Sequence, residues 1–166
     1  LNKKDKILCA KFRKGHFEGV LDVMDRLTNI VKPNKIFMGN KDFQQLYLVK
    51  KYLEDKYNTE VISCKTIRDK NKIALSSRNV LLNTFNLITA GNIYKNLINI
   101  KKKIKKQKNI FNFLEIQKKK LEINFKIKID YLELRNKKNL KPSKRNIDSR
   151  LFIAYHLNKV RLIDNL

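Results

Sequence analysis

A chain of 166 residues with a 42% hydrophobic fraction has the length of a single domain and enough apolar residues for a packed core, which excludes global disorder. The two cysteines, Cys9 and Cys64, share no metal-ligand or C-x-x-C spacing. No apolar run approaches the roughly 20 residues of a membrane span and no signal-peptide pattern opens the chain, so a disulfide framework, a zinc site and a membrane partner are set aside and the cytoplasm is the default. Lys+Arg 39 against Asp+Glu 15 give a formal charge of +24, which alone favours a polyanionic partner. Lysine, asparagine and isoleucine are over-used together, however, and no nucleic-acid module with interleaved aromatics is visible. The charge therefore reads as compositional drift, with only weak, non-specific, salt-sensitive nucleic-acid binding.

Leu1 to Lys11 is polar around Ile7-Leu8 and reads as a piece of strand or loop whose partners lie outside the chain. Arg13 to Val20 reads as a loop feeding a helix, with Phe17, Val20, Leu21, Met24, Leu27 and Ile30 at helical spacing. His16 falls in the helix-entry loop and is assigned a structural role. Pro33-Asn34-Lys35 is a turn and Ile36-Phe37-Met38 the short apolar run of a buried parallel strand. After the polar stretch from Gly39 to Gln45, a helix is expected from Leu46, with Leu48, Val49, Tyr52 and Leu53 on one face and its end near Tyr57-Asn58. Thr59 to Cys64 is the next strand. Strand, helix, strand in this order is a βαβ unit, and a parallel α/β sheet binds ligands beyond the carboxyl ends of its strands.

Two polar stretches stand where such ligands bind. Gly39-Asn40-Lys41-Asp42-Phe43-Gln44-Gln45 leads from a strand into a helix, where backbone N–H groups and the helix dipole favour an anion. Lys41 adds a positive charge, Asp42 can accept from a ribose hydroxyl, and Gln44 and Gln45 offer amides that both donate and accept. The second stretch, Ile73-Ala74-Leu75-Ser76-Ser77-Arg78-Asn79, places two hydroxyls and a guanidinium in a loop, a donor set suited to phosphate oxygens.

Beyond it, Leu87, Tyr94, Leu97, Ile98 and Ile104 support one long helix capped by Asn83 and ending in Lys101-Lys102-Lys103-Ile104-Lys105-Lys106, a solvated face where cations suit the dipole. Asn109 to Leu121 reads as a second helix and Phe125 to Tyr131 as an alternating strand. Arg150 to Tyr155 and Lys159 to Ile163 read as two further strands joined near Leu157-Asn158, with His156 facing solvent beside the turn.

Together with Arg13-Lys14-Gly15-His16-Phe17-Glu18-Gly19-Val20 and Arg161-Leu162-Ile163-Asp164-Asn165, the two polar stretches resemble the pantothenate synthetase (pantoate–beta-alanine ligase) family. The resemblance runs from about Leu8 to Leu166. It implies an α/β fold with an incomplete Rossmann-like parallel sheet, of the HIGH-superfamily nucleotidyltransferase type, over residues 1–66. A small α+β C-terminal domain with an antiparallel sheet would follow over residues 67–166. It also implies an ATP-dependent ligase that joins pantoate to AMP and then lets beta-alanine displace AMP, as a homodimer. The family's Met-Gly-x-x-His-x-Gly-His loop does not occur in this chain, so the chain is read as the C-terminal part of such an enzyme.

By the same resemblance, Gly39, Asn40, Lys41 and Asp42 would hold ATP, with Lys41 on the phosphates and Asp42 toward the ribose. Ile67 and Leu75 would contact adenine by backbone, and Ser76, Ser77 and Arg78 would close on the phosphates. Lys41, Ser76, Ser77 and Arg78 are the candidate catalytic groups. Gln45, with Val23, Met24 and Leu27 as apolar walls, would bind pantoate, and Mg²⁺ would ride on the phosphates without protein ligands. Three departures stand out. Lys14 replaces a frequent proline, Asn40 a usual acid, and Asn71-Lys72-Ile73 an Asp-Gly-Leu, where Asn71 is expected to take the left-handed conformation that glycine would allow. The alternatives are a basic nucleic-acid-binding protein on a retained ligase scaffold and an inactive truncated form.

Overall fold

The computed structural model describes residues 1–166, which divide into two compact units, Leu1–Thr66 and Ile67–Leu166. The first begins with a 3-10 turn at Lys3–Asp5 and a short helix α1 (Cys9–Phe12). Helix α2 (His16–Val31), strand β1 (Lys35–Gly39), helix α3 (Phe43–Tyr57) and strand β2 (Glu60–Cys64) follow. β1 and β2 pair in parallel, from Lys35 opposite Glu60 to Gly39 opposite Cys64. Helix α3 crosses between them, and Val49 and Leu53 pack with Val61 in a small core that Leu21, Met24, Ile36 and Met38 flank.

Three expectations change in this unit. Leu1 to Lys11 is helical rather than extended and has partners in the chain. Buried Asp5 accepts from Lys51 Nζ at 2.8 Å through both carboxylate oxygens and from Tyr52 Oη at 2.8 Å. Strand β1 is not buried on both faces, because Ile36 and Met38 point at the core while Phe37 is 66% exposed. Helix α3 starts at Phe43, a turn before Leu46, with Asn40–Asp42 as a 3-10 lead-in. Cys64 is exposed, whereas Cys9 packs inside, and both are free thiols.

The second unit opens with a ribbon in which Arg68 faces Ala74 antiparallel, then a 3-10 turn at Ser77–Leu81. Helices α4 (Thr84–Ile104) and α5 (Ile110–Phe125) start at asparagine caps, with Asn83 accepting from Asn86 N–H and Asn109 from Asn112 N–H. Such caps satisfy backbone donors that the first helical turn leaves open. Strands β3 (Lys128–Asn136), β4 (Ser149–Leu157) and β5 (Val160–Asn165) form an antiparallel sheet in sequence order. One apolar core joins Ile93, Leu97 and Ile104 of α4 and Leu114 and Leu121 of α5 to Leu132, Leu134, Leu151 and Ile153 of the sheet.

Here α5 runs on to Phe125 and β3 begins only at Lys128, so the alternation expected from Phe125 is shifted. The i, i+2 spacing of Phe125 and Ile127 is a strand pattern, but α5 runs through Phe125 and Lys126 at φ 51° makes the break before the strand. The glycine-less turn is solved differently from the expectation. Lys72 itself takes the left-handed conformation (φ 69°), while Asn71 presents its carbonyl to α4. A Cβ on Gly91 would lie 2.5 Å from that carbonyl oxygen, so α4 needs glycine at this position. No helix is long and apolar enough to cross a membrane.

Candidate nucleotide and acid-binding residues

In the first unit, β1 ends at Gly39 and the chain turns through Asn40–Asp42 into α3. Lys41 is largely covered, with 19% of its side chain exposed, and its Nζ lies 3.6 Å from Asp42 Oδ2, whose side chain is half exposed. The Lys41 ammonium is therefore held at the carboxyl end of β1 beside a carboxylate that can also face solvent.

The two glutamines separate. Gln44 is buried and its Nε2 donates to the carbonyls of Asp5 (3.3 Å) and Ile7 (2.7 Å), tying α3 to the opening turn. Its Nε2 is thus committed to structure, while its Oε1 is buried without a hydrogen-bond partner. Gln45, one position on, turns the other way into an open cleft of about 540 Å³ lined also by Gly15, His16, Gly19, Val20, Val23 and Met24. Gly15 at φ 74° starts α2 in a conformation that strains other residues, and Gly19 leaves the next turn of α2 without a side chain. The cleft joins one amide to aliphatic walls. Val23 and Met24 belong to it as expected, whereas Leu27 is about half exposed and does not line it. His16 does line it, so a purely structural assignment is incomplete. Its helix-entry position, one turn before Gly19, is the signal in the sequence for that.

In the second unit, the Ser76 side chain accepts from Arg78 N–H at 3.2 Å, and Asn79 N–H donates to the Ser76 carbonyl at 3.0 Å. Asn79 Nδ2 donates to the Ala74 carbonyl at 3.1 Å. These bonds wrap Ser76-Ser77-Arg78 into a tight turn. Arg78 Nη1 donates to the Arg161 carbonyl on β5 at 3.3 Å. Just upstream, Leu75 N–H donates to the Ile67 carbonyl at 3.0 Å, and both side chains are more than half exposed.

Sequence reasoning missed two charged groups behind this turn. Arg68 forms a two-pronged pair with Asp164 of β5, at 2.6 and 2.8 Å. His156 is not simply turned to solvent. Its Nε2 lies 3.1 Å from Asp130 Oδ1, and Asp130 Oδ2 accepts from Arg161 Nε at 2.7 Å. The alternation of β3 was the available signal for Asp130, an acid between the apolar residues Ile129 and Tyr131. No group of three His, Cys, Asp or Glu side chains is arranged to hold a metal ion.

A parallel βαβ unit with a polar loop beyond its first strand, followed by helices over an antiparallel sheet, places the chain among α/β proteins. The family model for pantoate-beta-alanine ligase matches residues 1–166. The chain belongs to the pantoate-beta-alanine ligase family. Among curated relatives, the pantothenate synthetase of Thermosipho africanus is 34% identical over 99% of this chain and 60% of its own length. That of Leptospira interrogans serovar copenhageni is 40% identical over 97% of this chain and 58% of its own length. The crystal structure of pantothenate synthetase from Thermus thermophilus superposes with a TM-score of 0.89 at 29% identity, over 100% of this chain and 61% of that one. The enzyme from Francisella tularensis, solved with beta-gamma ATP and beta-alanine, gives a TM-score of 0.76 at 34% identity over 100% of this chain and 56% of that one. The chain thus spans a little under two thirds of the length of these relatives.

Proposed function

We propose that this chain takes part in the ATP-dependent condensation of pantoate with beta-alanine, and that its first unit binds pantoate in the cleft around Gln45. The observation that carries this reading is the juxtaposition of the Gln45 amide with Val20, Val23 and Met24 in one cleft of a member of this family. A small hydroxy acid with a branched aliphatic body needs that combination, an apolar wall for the methyl groups and an amide for the hydroxyl or carboxylate. Gly39, Asn40, Lys41 and Asp42 follow β1, where nucleotides bind in such sheets, and are assigned to ATP.

The second unit is assigned the remaining nucleotide contacts. The Ile67–Leu75 ribbon would read adenine through backbone groups, and Ser76, Ser77 and Arg78 would donate to phosphate oxygens. The carboxylate oxygen of pantoate attacks the α-phosphorus, the bond to the β-phosphate oxygen breaks, and pyrophosphate leaves. The amine of beta-alanine then attacks the acyl carbon of the adenylate and AMP departs. Charge builds on phosphate oxygens in the first step, so the ammonium of Lys41 and the guanidinium of Arg78 act as stabilising donors with no covalent enzyme intermediate. Mg²⁺ enters as part of Mg·ATP, carried on the phosphates. A cytoplasmic homodimer is the assembly this reading implies.

Pantoate-dependent exchange of labelled pyrophosphate into ATP tests the assignment. Lys41→Ala should lower the exchange rate roughly a hundredfold or more, as for loss of one donor to a developing anion. Near-normal exchange in that variant would remove Lys41 from the reaction.

A further inference from the structure

The ribbon from Ile67 to Leu75 has only two rungs, Leu75 N–H to the Ile67 carbonyl and Asp69 N–H to the Ile73 carbonyl. A two-stranded ribbon of this size is marginal in water on its own. Its turn is strained as well, since Lys72 stands at φ 69°. Asp69 closes the turn, accepting from Lys72 N–H at its carbonyl and from Ile73 N–H at its Oδ1, and Ile73 and Ala74 are buried, while Arg68 supplies the contacts that tie the ribbon to β5.

The guanidinium Nη1 lies 2.6 Å from Asp164 Oδ2 and Nη2 lies 2.8 Å from Oδ1, with the two side chains 15% and 10% exposed. Nη1 also donates to the Lys72 carbonyl at 3.2 Å, and Cζ sits 3.9 Å from the centroid of the Tyr94 ring on α4. One side chain therefore joins the first arm of the ribbon to its turn, to β5 and to α4. Burial works against the charge on Arg68, but the hydrogen bonds to Asp164 and the attraction of its carboxylate, with smaller help from Tyr94 and Tyr155, together outweigh it and hold the guanidinium above its ordinary value. Asp164 is further fixed by accepting from Asn165 N–H at 2.7 Å. β5 also supplies the Arg161 carbonyl that receives Arg78. The same strand thus anchors both the ribbon and the turn that follows it.

We propose that the Arg68–Asp164 pair is a positioning clasp for the nucleotide, fixing the Ile67–Leu75 backbone against β5 and, through the continuous chain, the Ser76–Arg78 turn. This inference rests on the nucleotide reading above for its purpose, though not for its geometry. Leu75 N–H is already spent on the Ile67 carbonyl, so the Leu75 carbonyl and the Ile67 N–H are the backbone groups left to meet the edge of adenine. Their spacing depends on how far the two arms of the ribbon are held apart. A lysine at position 68 keeps the charge but loses the planar fork and the stacking on Tyr94, so it cannot reproduce the clasp.

Amide hydrogen exchange of the chain, with and without Mg·ATP, tests this in Arg68→Lys and in Asp164→Asn. The clasp predicts exchange at Asp69 and Leu75 at least about tenfold faster in both variants, the fold-change expected for losing hydrogen bonds to a charged group. Exchange at Leu132 and Ile153 in the sheet should stay unchanged, and any protection of Leu75 to Asn79 by Mg·ATP in the wild type should be lost. Unchanged exchange in the ribbon of both variants would overturn the inference. So would loosening of ribbon and sheet together in both, because the pair would then be a general stabiliser. Faster ribbon exchange in the variants, with no Mg·ATP protection even in the wild type, would support the clasp and count against the nucleotide reading itself.

Discussion

The two units bury their apolar residues very differently. The second gathers nineteen buried hydrophobic residues, sixteen of them from two helices and three strands, into one cluster, while the first has a cluster of Val49, Leu53 and Val61 beside the further buried residues Leu8, Cys9, Phe17, Leu46 and Leu48. Apolar exposure does not separate them, since Val80, Leu81, Phe85 and Ile123 of the second are as open as Val23, Ile30, Val31 and Phe37 of the first, and the first differs in having the smaller cluster. It makes up part of the difference with polar ties, namely Asp5 to Lys51 and Tyr52, Gln44 to two carbonyls, and Asp25 to Lys56 and Tyr57. Hydrophobic burial is the larger and less directional term, so the second unit has a stable frame on which a precise turn can be mounted. The first unit adds polar contacts along α3, of which the bonds of buried Gln44 tie down the helix start beside Gln45.

This contrast can be broken most directly in the cores. Leu134→Ala, at a position 1% exposed in the larger core, should cost about 3 to 5 kcal/mol. Val49→Ala, fully buried in the smaller one, should cost about 2 kcal/mol, because fewer atoms are removed and the site can collapse more easily. Denaturant unfolding of the two variants checks the ratio, and equal losses would break the contrast.

A smaller effect sharpens it from the polar side. The hydrogen bond to Asp5 holds Lys51 above its ordinary ammonium value, while burial and then the same carboxylate raise Tyr52. Both groups are kept protonated by the fold. Their stabilisation is complete below an unfolded pKa of about 10 and is lost as pH rises through the higher folded values. Unfolding of the first unit followed from about pH 8 to 11 should therefore show an alkaline decline, and Asp5→Asn should reduce it by removing the Lys51 part, leaving what burial of Tyr52 contributes. A decline of the same size in that variant would mean that Asp5 is not its source.

Much of this was legible in the sequence. Asn83 announced the start of α4, and the apolar spacing around Val49 and Leu53 fixed the face of α3. The strand, helix, strand order around Gly39 predicted the parallel pairing that β1 and β2 make. What escaped was long-range. Nothing near Asp5 in the chain says that it meets Lys51 and Tyr52, and nothing near Arg68 says that its partner is Asp164, 96 positions away. Adjacent residues of one type were equally opaque. Gln44 and Gln45 have the same side chain, yet a helix rotates successive residues by about 100°, which sends one into the interior and the other into the cleft. The strain at Lys72 was misplaced by one residue because asparagine tolerates positive φ better, while the position that must take it is set by the ribbon register.

The most direct test of the account is a calorimetric titration of Mg·ATP into the wild-type chain, Lys41→Ala and Gln45→Ala. The account predicts that Lys41→Ala weakens Mg·ATP binding at least about tenfold, as expected for a lost charge-assisted contact, while Gln45→Ala leaves it unchanged because that amide serves the acid cleft. Equal affinity for Mg·ATP in wild type and Lys41→Ala, or an equal loss in both variants, would contradict it.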